Sequence, residues 1–316
     1  MQLRPRAAIG GADIEALLVV LFWSGSYTVI KQAIAELPPL AYSLARFAAA
    51  SSLLVVITAL TGGFPRFQRG DLARVALIGA LTISVYQACF SYGLQFTTAS
   101  SSALVVGASP IFTAVVVRLL RQEELRPAQW VGIVAAFLGL GLLVAGKGGL
   151  ALSSRALLGD GLTLVAAAAY GTSVALSKPL LDRYRPLPLM AVAMAFGTLF
   201  MAPLCLPDVL HADWLHLAPF TWFGIAYGAI PAGALAYVVW YGVVGQIGPT
   251  RTIAYSYLIP VGAVALAAAL LGERFAAVEA VGAAVTLLGV ALARWGGVRR
   301  AHVPGLAQEE DGAGRN

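Results

Sequence analysis

Charge is what this chain has least of: Asp, Glu, Lys and Arg make up 11% of its 316 residues, and apolar residues make up 59%. Soluble domains carry roughly 25% charged and 45–50% apolar residues, so a water-soluble globule is excluded and a bilayer must take up part of the apolar surface. Cysteine is nearly absent. Cys89 and Cys205 both fall inside apolar runs, which leaves neither a disulfide framework nor a metal-ligand spacing. Histidine is limited to His211, His216 and His302, the first two in one polar loop with Asp208 and Asp213. A solvated loop explains that group better than a metal site, and no catalytic residue or cofactor is expected. Asp and Glu are missing from the middle of every apolar run: Asp13 and Glu15 stand at the start of one, Asp160 at the start of another. Proton-driven carriers hold an ionisable group at depth, so obligatory proton coupling is not expected.

What remains is a series of hydrophobic runs. A spanning helix needs about 20 mostly apolar residues, and turn signals divide the chain into ten such runs. They lie near 15–34, 41–60, 73–92, 99–117, 128–145, 157–177, 187–206, 221–243, 253–271 and 278–295. The separations are weakest between the third and fourth runs and between the eighth and ninth. The first run is longer than a signal-peptide core and lacks a small-residue cleavage site, so it is expected to be retained. Residues 297–316 are polar and partly acidic and are expected to form a disordered cytoplasmic tail.

A net charge of +6 invites a nucleic-acid partner, but its distribution argues against one. With ten crossings both termini lie on one side. Arg4, Arg6, Arg66, Arg69, Arg74, Arg118, Arg121, Arg126, Lys178, Arg183, Arg185, Arg251, Arg294, Arg299, Arg300 and Arg315, 16 of the 21 basic residues, then share that side. The positive-inside rule makes it the cytoplasm. The expected setting is a bacterial-type inner membrane crossed many times, with N- and C-termini inside. The expected partners are lipid and a small-molecule substrate, not nucleic acid.

The chain is also a duplication. Pro110, Glu123, Gly132 and Gly139 recur as Pro260, Glu273, Gly282 and Gly289, each pair 150 positions apart; Asp13, Ser26 and Lys31 recur as Asp160, Ser173 and Lys178, each pair 147 apart. The seam falls near 148–156. Residues 1–148 form one repeat and 149–296 the other. Five spans per repeat is an odd number, so the second copy enters the membrane inverted. Inverted repeats enclosing a site that opens to each side in turn are a transporter device. The fold expected is an all-α integral membrane protein of ten transmembrane helices, arranged as two inverted five-helix repeats.

Three features resemble the drug/metabolite transporter superfamily, in its ten-helix branch of paired bacterial EamA-type repeats. They are Trp23 followed by Lys31, with Tyr170 and Lys178 in the second copy; Arg46 after Pro38 and Pro39; and the Pro–Glu–Gly pattern above. Together they cover nearly the whole chain. The second copy departs from the pattern in having no arginine matching Arg46, which implies unlike outer and inner mouths. The resemblance implies a central cavity between helices 1–4 and 6–9, peripheral helices 5 and 10, and export of amino acids (aromatic ones included), other metabolites or toxic compounds.

Polar and aromatic side chains in a spanning helix must face protein or water. Trp23 and Tyr27 share a helix face, as do Tyr86 and Phe90, with Gln87 alongside. Tyr170 and Ser173 come from the sixth run, Tyr237, Trp240 and Tyr241 from the eighth, Tyr255 and Tyr257 from the ninth. Rings that bury an apolar body, with hydroxyls and amides for charged ends, suit a zwitterion. For the last five aromatics an interfacial belt and an inner gate fit equally; Trp130, Trp214, Trp222 and Trp295 fit the belt better. Lys31 and Arg46 are candidates for a substrate carboxylate, against snorkelling or, for Arg46, pairing with Glu36. Pro110 and Pro260 fall mid-run, where each should free a carbonyl near Val106 or Ser256 and act as a hinge. Glu123 and Glu273 read as brackets between helices, near Arg121 and Arg274. Gly224 with Gly228, and Gly132 with Ala136, permit close helix contact, within the bundle or in a homodimer. A sugar-phosphate or nucleotide-sugar exchanger would need more converging cations. A multidrug exporter, a channel and a membrane-embedded enzyme are the remaining alternatives; an enzyme would need a clustered nucleophile and base.

Overall fold

Proline opens helices α2 (Pro39–Leu60), α7 (Pro127–Gly146), α9 (Pro186–His211), α10 (Pro219–Ala229) and α12 (Pro249–Ala254), where its missing N–H costs nothing and its φ is already helical. The computed structural model describes residues 10–97, 99–146, 154–271, 277–295 and 298–300. The other helices are α1 (Gly11–Ala33), α3 (Arg69–Gly79), α4 (Tyr86–Leu94), α5 (Ala99–Val106), α6 (Ser109–Leu119), α8 (Ser154–Leu181), α11 (Ala236–Ile247), α13 (Leu258–Leu271) and α14 (Ala277–Trp295). Six continuous stretches are long and apolar enough to cross a bilayer: Pro39–Leu60, Arg69–Gly93, Pro127–Ala145, Ser154–Leu181, Pro186–His211 and Pro219–Ile247. The remaining runs fall on α1, on the pairs α5–α6 and α12–α13, and on α14. Leu138, Leu199 and Leu288, all mid-helix, are more than half exposed. Only lipid satisfies so much outward apolar surface, and the chain is a multi-pass membrane protein.

Two of the six stretches are not uniform. Ala80–Val85 joins α3 to α4 as a π-helical segment, and Ile230–Leu235 joins α10 to α11 in the same way. The two segments are 150 positions apart, the spacing at which the sequence repeats. Each copy also gives its first helix to the other. Helix α1 packs on α10, α11 and α13, while α8 packs on α3, α4, α5 and α6. Helix α2 lies against α9.

The most extensive helix–helix contact joins α7 and α14. A Cβ on Gly132 would strike the backbone of Gly289 and Ala293, and one on Gly139 would strike Gly282 and Thr286; from the other side, Gly282 meets Gly139 and Leu143, and Gly289 meets Gly132 and Ala136. The four repeat glycines therefore meet in crossed pairs, and only hydrogen fits at each. At one end the pair is tied by a short antiparallel ribbon, β1 (Glu123–Leu125) with β2 (Val298–Arg300). Those last three residues belong to the stretch expected to be a disordered tail; they are a paired strand instead, because Arg299 and Arg300 find β-partners in Glu124 and Glu123.

The expected mid-helix prolines sit at helix breaks. Pro110 occupies the first turn of α6, and the Val106 carbonyl ending α5 accepts the Ser109 hydroxyl at 2.7 Å. A 3₁₀ turn, Tyr255–Tyr257, precedes α13, and Pro260 lies in that helix's first turn. The neighbouring Ile253 carbonyl accepts Ser256 Oγ at 2.7 Å. At Pro110 a serine takes up the carbonyl that the proline frees, so the chain breaks the helix rather than kinking it; at Pro260 the 3₁₀ turn marks the irregularity.

Candidate functional site

Where α1 and α8 cross the opposite copy, they bring a group of rings together at mid-bundle. The Trp23 ring lies 5.0 Å from Trp240 and 5.7 Å from Tyr237, and Tyr237 in turn lies 6.1 Å from Phe47. Across the cluster Tyr86 stacks on Phe90 at 5.8 Å and meets Tyr170 at 5.5 Å. Edge and offset contacts of this kind add about 0.5–1.5 kcal/mol per pair beyond burial. The phenols of Tyr86, Tyr237 and Tyr241 lie within electrostatic range of Tyr170, so the two halves of the cluster face one another. Residues from α1, α2, α4, α8 and α11 contribute, and both copies are represented.

The π segments supply its polar edge. The Trp23 indole N–H donates to the Ala232 carbonyl at 2.9 Å, and Thr82 Oγ1 lies 3.1 Å from the Tyr241 hydroxyl. Ser173 Oγ lies 3.4 Å from the same hydroxyl while donating to the Tyr170 carbonyl. Arg46 enters from α2, its guanidinium carbon 4.3 Å from the Phe47 ring centroid and 5.7 Å from that of Tyr42. Its Nε is buried without a hydrogen-bond partner, as are Tyr170 Oη and Trp240 Nε1. A buried donor left unpaired costs about 1–3 kcal/mol, and the three such groups in and around one ring cluster are donors that an acceptor-rich ligand would satisfy.

Of the sequence candidates, Trp23, Tyr86, Phe90, Tyr170, Ser173, Tyr237, Trp240, Tyr241 and Arg46 fall in this cluster. Gln87 is buried on α4 beside Tyr86. The side chains of Tyr27 and Lys31, and all of Glu273, lie outside the described residues. Tyr255 and Tyr257 do not join the rings. The Tyr255 hydroxyl donates to Asp13 at 2.6 Å, in a group where Arg294 also pairs with Asp13. Tyr257 packs with Ala136, Leu140, Val144 and Val290 of the α7–α14 pair. Both lie in a 3₁₀ turn; Tyr255 shares the buried core of Tyr237 and Trp240, without a ring contact to them among the described residues. Glu36 does not pair with Arg46; it accepts from the Ala218 amide and the Thr221 hydroxyl. Tyr42, Phe47 and Thr82 were missed. Tyr42, four residues before Arg46, offered a helix-face signal; Phe47 and Thr82 offered none.

Glu123 lies away from the rings, beside basic residues Arg251 and Lys178. It is buried against Gly248, whose φ of +90° suits glycine, with Thr250, Arg251 and Lys178 near rather than Arg121. Burial pushes its carboxyl above the ordinary value, against the pull of Thr250, Arg251 and Lys178. Its Oε2 makes no geometric hydrogen bond. A separate apolar groove, lined by Leu44, Ala48, Val55, Ala195 and Leu199 among others, opens between α2 and α9.

This arrangement has known relatives. The chain is 29% identical over 276 residues to an uncharacterized transporter of Archaeoglobus fulgidus, covering 87% of this chain and 94% of that one. It is also 29% identical over 276 residues to a probable terminal-alkyne amino-acid exporter of Streptantibioticus cattleyicolor, covering 87% and 91%. A probable amino-acid metabolite efflux pump of Salmonella typhimurium is 28% identical over 286 residues, covering 87% and 92%. A solved crystal structure superposes with a TM-score of 0.74 at 17% identity, over 90% of this chain and 97% of that one, which establishes the shared fold. The profile of the EamA-like transporter family matches residues 11–145 and again residues 157–295, and with both segments matched this chain belongs to that family of membrane transporters, part of the drug/metabolite transporter superfamily.

Proposed function

We propose that this transporter exports amino acids or similar small metabolites, and that the ring cluster between the two copies is its binding site. Trp23, Tyr86, Phe90, Tyr170, Tyr237 and Trp240 take the apolar body of the substrate. Arg46 takes its carboxylate, with Lys31 a second candidate, and the Ser173, Tyr241 and Gln87 side chains hold the remaining polar atoms. The observation that carries this reading is the set of unpaired buried donors on Arg46, Tyr170 and Trp240 among aromatic rings from both copies. The printed names of two relatives, an amino-acid exporter and an amino-acid metabolite efflux pump, point the same way.

In this reading all ten apolar runs cross a bacterial inner membrane, both termini face the cytoplasm, and the copies form inverted five-helix repeats that alternate between two open states. The exchange of α1 and α8 between copies supports the inversion. Flux then follows the substrate gradient without obligatory proton coupling, as the lack of Asp and Glu from the middle of every apolar run suggests. Counterflow in proteoliposomes against amino acids, sugar phosphates and cationic drugs tests it. Saturable counterflow of amino acids is expected, and it should fall in Trp23→Ala, Tyr86→Ala and Tyr170→Ala while each protein stays folded. Counterflow with sugar phosphates alone, unchanged kinetics in all three variants, or collapse on removing only the pH gradient would refute it.

A further inference from the structure

Two side-chain ties join the copies at opposite ends of α2, and the duplication relates them. Glu36, in the loop before α2, accepts from the Ala218 amide at 2.9 Å and from Thr221 Oγ1 at 2.7 Å, closing that loop onto the start of α10. At the other end Arg183, in the loop before α9, donates to Asp71 Oδ2 at 3.0 Å and closes its loop onto the start of α3. Glu36 and Arg183 are 147 positions apart, and Thr221 and Asp71 are 150 apart, the same two offsets at which the sequence repeats. Each tie therefore sits at the equivalent place in its own copy: the first loop of one repeat is held to the third helix of the other.

The ties are unequal. The Asp71 side chain is 4% exposed, and it also accepts from the Tyr184 hydroxyl at 3.0 Å, with Arg74 at 3.6 Å. The Tyr184 ring meets that of Phe67 at a tilt, 4.8 Å between centroids, and its hydroxyl accepts from the Gln68 amide. Opening there strips a buried carboxylate of its cation and breaks a ring contact. Glu36 stands in solvent and bonds only neutral donors, and water replaces those at little cost.

We propose that Asp71–Arg183–Tyr184 and Glu36–Thr221 are the inner and outer latches of the transport cycle, and that the stronger inner latch makes the empty carrier rest open to the outside. This inference rests on the alternating-access reading above. Its test uses Val75 and Ile225, buried one turn beyond Asp71 and Thr221 and themselves 150 positions apart. Val75→Cys and Ile225→Cys, each made with Cys89→Ala and Cys205→Ala, are labelled by an impermeant maleimide in vesicles of known orientation. With both latches intact Ile225→Cys should react from outside at least tenfold faster than Val75→Cys from inside. Asp71→Asn, or Arg183→Gln should Asp71→Asn fail to fold, should raise Val75→Cys labelling about tenfold and slow that of Ile225→Cys. Glu36→Gln should change either rate by less than about threefold, as expected for an exposed contact. The paired exchange Asp71→Arg with Arg183→Asp should restore the wild-type ratio. Equal responses to Asp71→Asn and Glu36→Gln, or no response to Asp71→Asn and Arg183→Gln, would overturn the latch assignment. Saturating L-phenylalanine separates the two levels. If it shifts the two wild-type reporters in opposite directions, alternating access stands whatever the latch variants do; if neither reporter responds to it or to any latch variant, that reading falls as well.

Discussion

The α7–α14 pair and the central ring cluster descend from the same duplication but keep its record differently. In the pair, Gly132, Gly139, Gly282 and Gly289 hold their places because each faces backbone at a distance that admits no side chain. In the ring cluster the counterparts diverge. Trp23 stands opposite Tyr170, Gln87 opposite Tyr237, Phe90 opposite Trp240, and Arg46 opposite Ala193. Backbone proximity permits one residue type, whereas a cluster of packed rings permits several. Symmetry persists where the copies grip and fades among the rings proposed to bind substrate.

The sharpest way to break this comparison is to overfill the grip. Gly139→Leu should destabilise the fold by about 3 kcal/mol, at the upper end of overpacking penalties, read as loss of monodisperse protein and a lower melting temperature. Gly161→Leu is the control: a Cβ there meets nothing within 4 Å, and its effect should stay within about 0.5 kcal/mol. In the ring cluster the order reverses, with function lost and stability kept. Arg46→Gln should raise the KM for amino-acid counterflow about tenfold or more, since a hydrogen bond to a charged group is worth about 1.5–3 kcal/mol, with little change in melting.

A smaller effect concerns Glu123, outside both regions. Its folded carboxyl is raised by burial, so its stabilising contribution is complete below the ordinary value of 4.5 and is lost as pH rises through the folded value. Glu123→Gln should therefore raise the melting temperature at pH 8, by about 2 °C or more, and leave it unchanged at pH 4. Melting curves at the two pH values check the sign. Smallest of all, Tyr257→Phe should alter flux by less than about twofold, because its hydroxyl has no partner and it packs with the grip; removing an unpaired polar atom is close to neutral. A large fall in flux would extend the proposed binding site to the 3₁₀ turn before α13.

Much of this was legible in the chain itself. Hydrophobic run length marks helices because lipid and protein interior alike demand apolar cover, and the two offsets mark the copies. Trp23, Tyr86 and Tyr170 could be grouped because polar-tipped rings at depth need company, whereas Tyr237 fitted an interfacial belt equally well. Three things left no local trace. The π segments lie inside apolar runs of ordinary composition. The Asp71–Arg183 pair joins residues 112 positions apart, too far for any spacing rule. The 3₁₀ turn at Tyr255–Tyr257 also lies within an apolar run that carries no mark of it.

Each π segment holds one residue beyond what an α ladder would carry over the same turn. Excising a single position from Ile230–Leu235, Ala234 for instance, would let the ladder close over the same turn, so Tyr237, Trp240 and Tyr241 would keep their bearing toward Trp23. What would change is the backbone of the wide turn itself, where the Ala232 carbonyl accepts the Trp23 indole N–H. The rings facing Trp23 and the acceptor that anchors it are thus written in different places: the first in α11, the second in one surplus amino acid upstream of it.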